Sequence, residues 1–164
     1  MSENGETVQR RDDRVFLVVV DDTEEMQVAL RYACNRAHNT HGRVALLYVI
    51  ESSEFQHWMS VGDLMREEAR SEGEQILQRW AAQVMEQTGT MPVLYLREGS
   101  RRSELMGLID EEPSISILVL GANTEQRGPG PLVSALTGKF VGKLRVPVTI
   151  VPGHLSDEEV DKIT

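Results

Sequence analysis

Cysteine is almost absent from this sequence: Cys34 is the single one in 164 residues. No disulfide can close within the chain, and a reducing compartment is the expectation. Aromatic residues are few, at 5%, and long apolar runs are missing. The longest, such as 44–50, fall far short of the roughly 20 residues a membrane helix needs. Positive charge is in deficit, with 17 Lys and Arg against 26 Asp and Glu, a net −9. An acidic chain repels nucleic acid and anionic membrane surfaces, so neither is expected as a partner. A local anion site stays open, because a few backbone N–H groups outweigh the net charge nearby. The N-terminal stretch MSENGETVQRRDDR is polar and has no apolar h-region, so no secretory leader is read there and a cytoplasmic protein is expected.

What is present is enough for one core. Apolar residues make up 40% of the chain, and its length suits one domain. Residues 1–13 read as a mobile tail. VFLVVV (15–20) is β-branched and apolar throughout, the mark of a strand covered on both faces. Thr23 and the acidic residues after it start a helix over 23–40, with Met26, Ala29, Leu30, Ala33 and Ala37 on one face. RVALLYVI (43–50) is a second buried strand. A long helix over about 61–87 carries Leu64, Met65, Ala69, Ile76, Leu77, Trp80 and Val84. PVLYLRE (92–98), ISILVLG (115–121) and VPVTIVP (146–152) read as three more strands. Helices are expected over 100–112, with Leu105, Leu108 and Ile109 inward, and over 132–144. In the tail 153–164, Ser156 and Glu159 form a capping box for a short helix. Strands alternating with helices mean a parallel sheet with right-handed crossovers.

Open parallel sheets bind ligands beyond the carboxyl ends of their strands, where the strand order reverses. If the first and fourth strands are neighbours, the loops VVVDDTEE (18–25) and GANTEQRGPG (121–130) meet there. One offers carboxylates for ribose hydroxyls, and the other offers glycine N–H groups for phosphates. Named phosphate motifs fail, however. Gly138-Lys139 is followed by Phe140 where a Walker A loop needs Ser or Thr, and Val133 stands at the third glycine of G-x-G-x-x-G. Pro129 and Pro131 carry no N–H, and Pro131 suits the first turn of a helix.

Four stretches, in order and correctly spaced, resemble the universal stress protein family over residues 14–152. Asp21-Asp22-Thr23-Glu24-Glu25 after the first strand is similar to the family's V-D-G-S-E start. LLYVIE (46–51) is similar to L-L-H-V-x-[DE], ILVLG (117–121) to the strand before its glycine loop, and VPVTIVP to C-P-V-L-V-V. The resemblance implies a three-layer, doubly wound α/β fold: a five-stranded parallel sheet of order 3-2-1-4-5 with helices on both faces. Some members bind ATP through G-x2-G-x9-G-[ST], and others lack the loop. Gly128 and Gly138 keep the nine-residue spacing, but Thr124 replaces the second glycine after Gly121, and Lys139 stands for Ser or Thr. Carried over by position, Val19 and Asp21 would lie by adenine and ribose and Val49 would wall the base pocket. Leu120 and Gly121 would support the nucleoside, and Gly128, Gly138, Lys139 and Phe140 would follow the phosphates.

The resulting expectation is a cytoplasmic, non-catalytic stress-response module that binds ATP or another adenine nucleotide, with Mg2+ only if ATP is bound. A homodimer is expected through the edge strand residues Val146, Val148, Thr149, Ile150 and Val151, along with protein partners of unknown identity. The alternative is a homodimeric partner-binding regulator without nucleotide, and the third choice is a weak ATP hydrolase. No catalytic residue and no metal site are read. Cys34 and His38 share a helix face with His41 just after, but no further ligand has metal-like spacing. Phe55, His57 and Trp58 either flap over a ligand or pack on the long helix. Arg101 and Arg102 open a helix beyond the third strand and either contact a phosphate or stay solvated, and because that strand is peripheral solvated charge is the preferred reading.

Overall fold

The computed structural model describes residues 14–51, 62–125 and 127–164. The tail 1–13 and the segment with Phe55, His57 and Trp58 lie outside these. Five strands, β1 (Val15–Val19), β2 (Arg43–Ile50), β3 (Val93–Glu98), β4 (Ile115–Ala122) and β5 (Val148–Pro152), alternate with five helices. The helices are α1 (Glu24–Thr40), α2 (Gly62–Thr88), α3 (Arg101–Glu111), α4 (Pro131–Thr137) and α5 (Asp157–Ile163). The sheet has the order β3-β2-β1-β4-β5 and is parallel throughout, as expected.

The apolar run of β1 follows from its central place. Phe16, Val18 and Val20 enter one core with α1 and α2, while Leu17 and Val19 enter a second with α3 and α4. Side chains alternate along a strand, so a strand covered on both faces has no position for a polar residue.

α1 is specified at every level. Thr23 caps it: its hydroxyl accepts from the Met26 N–H at 3.2 Å, and Glu24 and Glu25 occupy the first turn. Met26, Ala29, Leu30, Ala33, Cys34 and Ala37 are all buried. Each large side chain among them contributes about 1.5–3 kcal/mol. His41 takes the left-handed conformation that closes the helix, at φ 56°. In α2 the buried stripe is Leu77, Ala81 and Val84, whereas Leu64 is exposed. Arg145 reaches back from the approach to β5, and its Nη2 donates to the carbonyls of Ile109 at 2.7 Å and Glu112 at 3.0 Å. It satisfies the end of α3, where orphan carbonyls collect.

The helix expected over 132–144 does not run that far. α4 stops at Thr137, Gly138 leaves helical geometry at φ −104°, ψ −114°, and a 3₁₀ turn follows over Val141–Lys143. Two glycines in five residues, Gly138 and Gly142, cost about 1 kcal/mol each in a helix. Val141 is exposed, so no apolar stripe repays that cost. The capping box at Ser156 forms, with its hydroxyl accepting from the Glu159 N–H. α5 then docks on α1 through buried Val160 and a two-pronged Arg31–Asp161 pair at 2.9 and 2.8 Å.

Candidate functional site

β1 and β4 are adjacent, so the loops that leave their carboxyl ends face each other across a cleft of about 120 Å3. Val19 and Leu120 form its floor, and the entries of α1 and α4 form its sides. At the α1 side, Asp21 Oδ1 accepts from the Thr23 N–H at 2.9 Å and from the Thr23 hydroxyl. This is a side-chain turn that presets the helix start. The second oxygen, Oδ2, has no partner among the described residues.

On the β4 side, Gly121 is required by contact. A Cβ there would lie 2.1 Å from the Glu25 carbonyl oxygen. Gly153 meets the same turn of α1, with a Cβ 2.6 Å from that of Glu25. The loop after Ala122 folds on itself. The Asn123 N–H donates to the Pro129 carbonyl at 3.2 Å, and the Glu125 N–H to Asn123 Oδ1 at 2.7 Å. Gly128 and Gly130 have φ of 87° and 103° with nothing near a would-be Cβ, so backbone conformation demands them. α4 starts at Gly130-Pro131 with no side-chain cap.

The Universal stress protein family model matches residues 14–152 of the chain. The chain belongs to the universal stress protein family. No curated protein matches the sequence. Among solved structures, the universal stress protein UspA from Lactobacillus plantarum is similar at 19% identity and a TM-score of 0.67. That match covers 84% of this chain and 97% of the other. A universal stress protein family protein from Burkholderia pseudomallei matches at 21% identity and a TM-score of 0.63, over 84% and 95% of the two chains. One from Arabidopsis thaliana, solved with AMP bound, matches at 15% and 0.60, over 88% and 94%. These similarities establish the shared α/β fold.

Within this universal stress protein, Val19, Asp21, Leu120 and Gly121 line one cleft together. The other expected site residues do not line it. Val49 is buried in the core that α3 and α4 cover. Gly128 sits in the loop, its N–H turned to the Glu125 carbonyl at 3.4 Å, while its neighbours Pro129 and Gly130 reach the cleft. Gly138, Lys139 and Phe140 stand at the far end of α4, about 10 Å along a seven-residue helix. There the Phe140 ring lies under Arg102 at 4.2 Å, with Lys139 and Lys143 at 5.7 and 5.6 Å. The nine-residue spacing of Gly128 and Gly138 therefore spans α4 and does not close a loop around its start.

Two lining residues were not among the expected site residues. Glu25 enters from the first turn of α1, and Arg101 from the first residue of α3. The connection from β3 to β4 crosses over β2 and β1, and α3 packs on β2. A peripheral strand thus delivers its following helix to the middle of the sheet. That inference was available from the expected strand order and the handedness of crossovers.

Burial pushes the Cys34 thiol up to about 12 from an ordinary value of 9.0, so it remains protonated and is a poor nucleophile. His38 and His41 flank a separate hollow with Thr88 and Thr90. Among the described residues no group of three or more His, Cys, Asp or Glu side chains could hold a metal ion. No helix among them is long and apolar enough to cross a membrane.

Proposed function

We propose that this universal stress protein binds an adenine nucleotide in the cleft between the loops after β1 and β4, as a non-catalytic module of the cytoplasm. The observation that carries the reading is the pairing of an apolar floor, Val19 and Leu120, with the unpartnered Oδ2 of Asp21 at the rim. An adenine ring takes the former and ribose hydroxyls the latter. Fold relatives support it: one universal stress protein was crystallised in complex with cAMP and the Arabidopsis thaliana one with AMP. Mg2+ enters this reading only with ATP.

The test is mass spectrometry of small molecules released on denaturation, with titration calorimetry of ATP and AMP. Binding that is lost in Asp21→Ala, with the melting temperature followed as a control, supports the reading. No heat and no released nucleotide in the wild type sink it. Gly121→Val is unsuitable as a binding probe, because it would clash with Glu25.

The second reading is a partner-binding regulator without nucleotide. The self-bonded loop 122–130 and the distance of Gly138-Lys139 from the cleft favour it. Both readings include a homodimer through β5. This strand has β4 on one side only, and Ile150 is 37% exposed on it. Such an edge is a template for a second copy, with pairing confined between Pro147 and Pro152. Light scattering that finds a monomer at micromolar concentration contradicts the dimer.

A further inference from the structure

We infer that Arg101 is the phosphate-holding residue of the cleft, and that the cleft takes a nucleotide with one phosphate in preference to a triphosphate. This rests on the nucleotide reading above and deepens it. Among the described residues Arg101 is the single cation lining the cleft. Its side chain is one-third exposed, at 33%, so it is reachable without being fully solvated. Among the described residues its one charged contact is Glu51 Oε1, 3.9 Å from Nε, which is too long for a hydrogen bond. Nη1 and Nη2 have no hydrogen-bond partner among the described residues, and a guanidinium fork matches two oxygens of a phosphate.

Charge sets the limit on phosphate number. Asp21 and Glu25 line the same cleft, so Arg101 faces two carboxylates. One cation supports one phosphate there. Further phosphates add negative charge that no second lining cation meets, since Lys139 and Lys143 gather at Phe140 and Arg127 of the loop does not line the cleft. The backbone makes up only part of the difference. The N–H groups of Asn123, Glu125 and Gly128 are turned to acceptors inside their own loop, and Pro129 and Pro131 have none. The uncapped start of α4 adds only the short run of Gly130, Leu132 and Val133 N–H groups beside the cleft, less than a polyphosphate cradle needs.

The experiment is calorimetry of adenosine, AMP and ATP, without added Mg2+, against the wild type, Arg101→Gln and Glu51→Gln. The wild type is expected to bind AMP about tenfold or more tighter than adenosine, the scale of a hydrogen-bonded charge. ATP is expected to bind more weakly than AMP. Arg101→Gln should bring AMP down to the adenosine level and leave adenosine unchanged. Glu51→Gln, which removes a carboxylate charge beside the guanidinium, should tighten AMP severalfold with adenosine again unchanged. AMP affinity that survives Arg101→Gln, or ATP as the tightest ligand, overturns this inference and leaves the nucleotide reading standing. A wild type that binds neither adenosine nor AMP overturns both. A thermal melt checks that Arg101→Gln is folded, and the response of AMP to Glu51→Gln tests the same contact without touching Arg101.

Discussion

α1 and α4 both begin at the cleft, and they are held there by different means. α1 has 17 residues, a Thr23 side-chain cap and six buried residues on one face. α4 has seven residues, Gly130 as an uncapped start, and two buried residues, Val133 and Leu136. The glycines around them differ in kind. Gly121 and Gly153 exist so that the first turn of α1 can press against the ends of β4 and β5. Gly128 and Gly130 have open space where a side chain would sit and exist for their positive φ. One wall of the cleft is fixed by an extensive packed face, and the other by a smaller packed face together with backbone conformation. A wall of the second kind has fewer contacts to resist movement, and local opening free energies fall with contact density.

The sharpest way to break this contrast is Gly121→Val. Its side chain would collide with the Glu25 backbone, and a loss of about 3 kcal/mol is expected. In a domain of this size that lowers Tm by about 6–12 °C. A loss below about 1 kcal/mol in urea denaturation would show that the entry of α1 is not tightly packed. Gly130→Ala should cost about 2 kcal/mol although its surroundings are open, because φ 103°, ψ 160° suits glycine alone. Gly142→Ala, at an ordinary φ in equally open space, is the control. Equal stabilities for the two would remove conformation as the restraint on α4.

Thr23→Ala should cost about 1 kcal/mol, since Met26 loses its cap and Asp21 loses the hydroxyl it accepts from. Chemical denaturation measures it, and no comparable side-chain cap exists on α4 to lose. The smallest effect is at the α5 clasp. Hydrogen bonds from Arg31, then from Asn35, hold the Asp161 carboxyl below its ordinary value of 3.8. The folded form binds this proton less readily than the unfolded form, so its stabilising contribution is present above pH 3.8 and is lost as the pH falls through the depressed value. Amide exchange at Val160 should accelerate in that acidic window, and less so in Asp161→Asn, which is already neutral. The pair is exposed, so the effect should shrink further with added salt.

Much of this architecture is legible in the chain. The apolar strands, the face of α1, the inward residues of α3 and the capping box at Ser156 all follow from local periodicity and capping chemistry, and the structure has them where the pattern puts them. α4 is the exception, because its apolar residues are few and two glycines interrupt them. The helix expected over 132–144 ends early there, and the nine residues between Gly128 and Gly138 hold α4. The docking of α5 was also not read, since Arg31 and Asp161 lie 130 residues apart.

The sequence by itself determined the fold class, the alternation of strand and helix, and the four residues Val19, Asp21, Leu120 and Gly121, which sit at strand ends where the chain direction fixes their place. Local pattern reaches that far because strand ends in a parallel sheet share one edge. Tertiary structure alone decided which helix starts reach the cleft. It carried Arg101 inward from a peripheral strand and turned Gly138, Lys139 and Phe140 away. The reason is that a side chain's position at a cleft depends on where its helix begins and over which strands it crosses, and both are settled by packing between segments distant in sequence.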